Sequence, residues 1–180
     1  MAFTEKTFGG IDVLVNNAGL THRPAPLEEI PEDAYDLVLG VNLKGTYLCS
    51  KHAIAALRRS GNGAIVNLSS VAAIAHRPGN TVYTAAKAAV AALTRNLALE
   101  LAPTVRVNAI MPVAADTPFF VAAFGERMPE GAKQAMRAGI PMACLCEPAD
   151  VADAVAFLAS GDASFITGIS LTLDGGRSLT

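Results

Sequence analysis

Charge, cysteine and long apolar runs are all scarce in this sequence. Only 17% of its 180 residues are charged, against 52% hydrophobic. A chain so poor in charge is not disordered; it is long enough for one domain with a real core and several buried elements. The net charge of −2 and pI of about 5.9 leave no basic field to hold nucleic acid or an anionic membrane. No apolar stretch reaches the roughly 18 residues that a bilayer span requires. The opening Met1-Ala2-Phe3-Thr4-Glu5-Lys6 lacks the basic-then-apolar order of a signal segment. Cys49, Cys144 and Cys146 are an odd set whose spacing makes no disulfide framework, as expected of reduced thiols in a cytoplasm. His22, His52 and His76 are scattered, and no His/Cys pattern has metal-ligand spacing. Internal repeats, low-complexity tracts and interdomain linkers are also missing.

What is present alternates between strand and helix. Ile11 to Val15 reads as a buried strand closed by Asn16-Asn17-Ala18-Gly19, and residues 20–31, with three prolines, read as a loop. A helical pattern runs from Pro31 to about Arg59 with a break near Gly40. Ala64 to Leu68 is a second strand, 71–81 a loop, Tyr83 to Leu101 a long helix ended by Pro103, and Val105 to Ile110 a third strand. Residues 113–147 read as irregular with short helical pieces. Glu147-Pro148-Ala149-Asp150 opens a helix to about Ala159, and Ile169 to Leu173 is the last strand. Continuous apolar strands between helices predict a parallel sheet covered on both faces. The long helix is rich in alanine, including Ala85, Ala86, Ala88, Ala89, Ala91, Ala92 and Ala98. These serve helix propensity and close packing within the chain. The other reading is contact with a second copy in a homo-oligomer.

The chemistry concentrates around Tyr83 and Lys87, one helical turn apart, with Ser69-Ser70 upstream at a strand end. An ammonium beside a phenol favours the phenolate and makes the tyrosine a proton donor near neutral pH. A serine hydroxyl alongside would hold a substrate oxygen. The constellation points to carbonyl reduction or alcohol oxidation. Taken singly, each residue has a plainer reading: a tyrosine that packs, a solvated lysine, and a polar turn after a strand.

These pieces, in this order, resemble the short-chain dehydrogenase/reductase family. The matching segments are Asn16-Asn17-Ala18-Gly19, Val41-Asn42-Leu43-Lys44-Gly45, Ile65-Val66-Asn67-Leu68-Ser69-Ser70, and Tyr83 with Lys87. Further along they are Arg106-Val107-Asn108-Ala109-Ile110-Met111-Pro112, and Ile166-Thr167-Gly168 through Asp174-Gly175-Gly176. Within the family the chain looks most like bacterial 3-oxoacyl-acyl-carrier-protein reductases. The resemblance implies an α/β fold, the C-terminal portion of a doubly wound parallel-sheet Rossmann fold, in a single partial domain over 1–180. It implies hydride transfer between NAD or NADP and a small ketone or secondary alcohol. Tyr83 becomes the acid/base, Lys87 the pKa tuner and ribose ligand, Ser70 rather than Ser69 the substrate-oxygen donor, and Asn42 the support of a water relay. Asn17, Ala18, Gly19, Tyr83, Lys87, Pro112, Val113 and Thr117 become the cofactor contacts. Residues 113–147 become a substrate lid, with Phe119, Phe120, Phe124, Met128 and Met136 offering an apolar pocket. A cytoplasmic homo-oligomer, dimer or tetramer, completes the expectation, with no metal, nucleic acid or membrane.

Two departures qualify it. Val113 follows Pro112 where most relatives carry glycine, and valine does not reach glycine-only backbone angles. The family also begins with a glycine-rich turn that seats the pyrophosphate on a helix N-terminus. That turn and two strand–helix–strand units, on the order of 70 residues, have no counterpart here. The expectation is therefore a bare apolar edge at Val13-Leu14-Val15. A start codon assigned too late would account for it. So would a fragment, or a shortened non-catalytic remnant or interaction subunit that does not hold the dinucleotide alone.

Overall fold

The computed structural model describes residues 1–125 and 128–180. Among these residues, β1 (Val13–Asn16), β2 (Gly63–Leu68), β3 (Val105–Pro112) and β4 (Ser170–Leu173) form a parallel sheet in the order β1-β2-β3-β4. Leu14 stands opposite Ile65, Ile65 opposite Val107, and Ile110 opposite Leu171. All six residues of β2 are buried, as a strand covered on both faces requires. The helices are α1 (Ala2–Phe8), α2 (Glu32–Leu39), α3 (Thr46–Ser60), α4 (Thr81–Leu101), α5 (Val121–Phe124), α6 (Glu130–Ala138) and α7 (Pro148–Ala159).

Alternation along the strands sorts side chains to two faces. Ile65 and Val107 face α3 and α4, where Leu57, Leu97 and Leu101 close the core. Val66, Leu68 and Ile110 face the opposite way and meet Leu158 of α7. Gly63 lets α3 lie close to β2: a Cβ there would stand 2.6 Å from the Leu57 carbonyl oxygen. The C-terminus of α7 is held by Arg106, whose guanidinium donates to the carbonyls of Leu158 (2.7 Å), Ala159 (3.2 Å), Ser160 (3.1 Å) and Ala163 (3.1 Å).

Several expected boundaries shift. The first strand begins at Val13, while Ile11 joins the core from just before it. The break near Gly40 is a π-helical turn, Gly40–Gly45, which joins α2 to α3 without ending the helical path. α1 has no counterpart among the expected elements; it buries none of its residues and is tied to α3 by the Glu5–Arg59 ion pair. Ala86, Ala91 and Ala98 of α4 pack inside the chain, whereas Ala85, Ala92 and Leu99, seven apart, face outward. The outer edge of β1 has no partner among the described residues, and Val13 and Val15 are each 40% exposed.

Of the segment 113–147, residues 126–127 lie outside the described residues. The remainder has its own small apolar cluster of Val113, Met128, Ile140, Leu145 and Cys146. Lys133 of α6 pairs with Asp116 at 2.7 Å, fixing that helix to the stretch after β3. No helix among the described residues is long and apolar enough to cross a membrane, and none of their His, Cys, Asp and Glu side chains gather as metal ligands.

Candidate active site

The C-terminal ends of β1, β2 and β3 open onto one cavity of about 890 Å³. This is where parallel α/β sheets place their ligands, because the strands point their last residues and following loops toward the same end. Asn17, Ala18 and Gly19 line it from the end of β1, Ser69 and Ser70 from β2, and Pro112, Val113 and Thr117 from β3 and the loop beyond. Tyr83 and Lys87 enter from the first two turns of α4. Every proposed site residue except Asn42 lies on this wall.

Lys87 is 3% exposed. Its Nζ donates to the Leu68 carbonyl at 2.7 Å and stands 5.8 Å from the centre of the Tyr83 ring. Burial disfavours the ammonium and brings its pKa down to about 8. The phenol behaves contrary to the sequence argument. Burial pushes Tyr83 up to about 12, and the Ser70 hydroxyl beside it opposes only part of that rise. The expected lowering by Lys87 is therefore corrected: desolvation of the phenolate outweighs every other influence on it.

The two serines have separate tasks. Ser69 Oγ donates to the Lys87 carbonyl at 2.8 Å, tying strand to helix. Ser70 Oγ accepts from the Ala72 N–H at 3.1 Å, ordering the turn that follows β2, and stays close to Tyr83. Val113 needs no glycine-like backbone; its φ is not positive, and its N–H donates to Leu173 at 3.0 Å as a continuation of the sheet.

Asn42 lies beneath the wall, 1% exposed, inside the π-helical turn. Its Nδ2 donates to the carbonyls of Leu20 and Val38, both at 2.8 Å, and its carbonyl accepts from Thr46 Oγ1 at 2.8 Å. Its Oδ1 is buried with no partner among the described residues. Gly19 sits directly over this corner: a Cβ there would stand 2.8 Å from Asn42 Oδ1 and 3.3 Å from Lys87 Nζ. The result is a small cradle holding one unpaired acceptor and an ammonium with donors to spare. Such a corner suits a ligand that presents hydroxyl groups.

A buried polar ladder braces the wall from behind. Asn16 Nδ2 donates to Asn67 Oδ1 (2.7 Å) and to Ser50 Oγ (3.1 Å), Asn67 Nδ2 to Thr94 Oγ1 (2.9 Å), and Thr94 to the Val90 carbonyl (2.8 Å). Sequence reasoning missed these roles; the only signal was an asparagine at the same step of two apolar strands. It also missed Arg77, Asn80 and Thr84, which line the cavity from the connection between β2 and α4. Phe119, Phe120, Phe124 and Met136 line it from the expected lid, whereas Met128 does not; it is buried in the lid's own cluster.

The family described as enoyl-(acyl carrier protein) reductase matches residues 1–178. The chain is 42% identical over 172 residues to 4-formylbenzenesulfonate dehydrogenase of Comamonas testosteroni, covering 95% of this chain and 68% of that protein. It is 43% identical over 170 residues to cis-4-hydroxycyclohexanecarboxylate dehydrogenase of Sinomonas cyclohexanicum, covering 94% and 66%. Among solved structures, it superposes with a TM-score of 0.91 on the 3-ketoacyl-(acyl-carrier-protein) reductase of Brucella melitensis complexed with NADH. That match has 38% identity and covers 98% of this chain and 71% of the other. The chain thus spans about two thirds of the length of these proteins.

Proposed function

This chain belongs to the short-chain dehydrogenase/reductase family of oxidoreductases, and from that premise we propose that its cavity carries hydride transfer between NAD or NADP and a small ketone, aldehyde or alcohol. The observation that carries the reading is the convergence of Ser70, Tyr83 and Lys87 on one wall beside the Gly19 cradle. Lys87 uses one donor on Leu68, and its remaining donors with the unpaired Asn42 Oδ1 fit a ribose. Asn17, Ala18 and Gly19 would hold the dinucleotide on one side and Pro112, Val113 and Thr117 on the other. When bound, the dinucleotide supplies or accepts the hydride.

The protein's own part is protonic. Tyr83, protonated throughout the neutral range, hands its proton to the substrate oxygen during reduction, while Ser70 donates a hydrogen bond to the same oxygen. Lys87, with its pKa near neutrality, returns a proton through the relay beside Asn42. Oxidation runs the same path backwards. Residues 113–147 act as the lid that keeps water out. The outward row of Ala85, Ala92 and Leu99 on α4 fits an oligomer contact in the cytoplasm.

The test follows nicotinamide absorbance with NADH and NADPH over a panel of ring ketones and aldehydes. Tyr83→Phe removes the proton donor and abolishes turnover, with stability changed by about 1 kcal/mol or less. Retained turnover in that variant removes Tyr83 from its role.

A further inference from the structure

Hydride chemistry accounts for only part of the cavity's polar lining. Arg77 and Asn80 line it from the connection between β2 and α4, and Thr84 from the first turn of α4. The first two turns of α4 and the preceding loop thus carry two sets of groups into one cavity.

None of the three has its polar atoms occupied. Arg77 has no ion pair or side-chain hydrogen bond among the described residues, although burial and the nearby Arg177 both disfavour its charge. Asn80 stands at the N-cap of α4, yet its side chain makes no cap bond. Thr84 Oγ1 is buried without a partner among the described residues. Of the three, Thr84 Oγ1 is the unpaired buried atom, a rarity in folded proteins, while Arg77 is exposed at the cavity mouth and Asn80 half-buried. Acceptor oxygens presented by a ligand would suit the Thr84 hydroxyl and the Arg77 guanidinium together.

Charge narrows the ligand. Arg77 and Lys87 are the only ionic residues among those lining the cavity, and no carboxylate faces them. One wall of the same cavity is aromatic: Phe119 lies 5.6 Å from Tyr83 between ring centres, Phe120 5.2 Å from Phe119, and Phe124 6.0 Å from Phe120. Such a wall takes a ring-shaped apolar body. Arg77 is carried by the loop between β2 and α4, whereas the residues assigned to the dinucleotide stand at or after the ends of β1 and β3. Its loop is held to the 20–31 loop by the Ala25 N–H donating to the Gly79 carbonyl at 3.2 Å.

We propose that Arg77, with Asn80 and Thr84 beside it, selects substrates bearing a carboxylate or sulfonate across a ring from the reacting carbonyl or alcohol. The guanidinium fork matches either anion with paired N–H donors. This rests on the reading of the same cavity as the hydride-transfer site, and deepens it by naming the substrate class.

The probe pair is 4-hydroxycyclohexanecarboxylate and its methyl ester, titrated calorimetrically with NADH present, so that no reaction occurs between an alcohol and a reduced cofactor. The acid binds more tightly than the ester by roughly tenfold to a hundredfold. Arg77→Met collapses that ratio to near one, and Arg77→Lys, which keeps the charge and loses the fork, restores part of it. Equal affinities, no binding of either probe, or a preference that survives Arg77→Met overturns the proposal. Oxidation of the ester by NAD or NADP, measured alongside, keeps the two readings apart. Turnover without an acid preference sinks the anion site alone; an acid preference without turnover of either probe sinks hydride transfer and leaves the anion site standing.

Discussion

The fold carries Lys87 at a cost to its own stability, and that cost is measurable. Moving the pKa from 10.5 to about 8 corresponds to about 3 kcal/mol of penalty on the charged form. Below about pH 8 the folded and unfolded chains both hold the proton, so the fold bears the whole penalty. Between about 8 and 10.5 the unfolded chain keeps the proton and the folded chain has lost it, so this residue's contribution makes stability rise with pH. Above 10.5 both are neutral and the penalty is gone. Lys87→Met removes the charge and keeps most of the volume, but loses the hydrogen bond to Leu68, worth about 1 kcal/mol. Its net effect is a gain of about 2 kcal/mol near neutral pH, or about 4–8 °C in Tm for a chain of this size. By pH 10.5 the gain has become a small deficit. Cys146, which burial raises to about 11, titrates in both proteins and cancels in the difference; Tyr83, raised to about 12, enters only as the pH passes 10, at the end of this window. Thermal melts of the two chains across this range give the difference curve directly. A variant less stable near neutral pH, with a difference that stays flat up to 10.5, refutes the reasoning. Hydride transfer is lost in the variant throughout.

Two further substitutions probe the wall. Gly19→Ala drives a methyl toward Asn42 Oδ1 and Lys87 Nζ, costs about 1–3 kcal/mol, and weakens NADH binding in a fluorescence titration; unchanged affinity would detach the cradle from the cofactor. Asn67→Leu removes two bonds of the buried ladder, leaving Asn16 Nδ2 only Ser50 and Thr94 Oγ1 only the Val90 carbonyl, and costs about 1–3 kcal/mol in urea unfolding; a neutral result would show that the ladder closes without it.

Much of the fold was legible because it follows from burial. The run Ala64-Ile65-Val66 is apolar at consecutive steps, which a strand covered on both faces tolerates. The helix over Thr81–Leu101 was equally plain from its alanines and from Pro103. Other features were hidden for physical reasons. The π-helical turn at Gly40–Gly45 keeps the helical path, so its residues read as a simple break. α1 buries nothing, so its residues leave no apolar stripe to read. Met128 looked like a pocket residue by composition, but whether a methionine lines a cavity or packs behind it depends on contacts distant in sequence.

The site shows the same division more sharply. Spacing put Tyr83 and Lys87 one turn apart, and spacing was enough to bring them to one wall. It could not fix the sign of the electrostatics, because a phenol's pKa depends on how much water it loses as well as on which charge stands near. Here both groups are buried, and desolvation drives them toward neutrality from opposite sides: the phenol up to about 12, the ammonium down to about 8. At neutral pH both groups therefore hold their protons, the state from which the proposed reduction would start. An anion or dipole arriving beside Lys87 would raise its pKa again, and a more fully charged Lys87 would in turn favour the phenolate required for oxidation. In the proposed chemistry the direction of the proton would then depend on what occupies the Gly19 cradle, which no spacing in the sequence encodes.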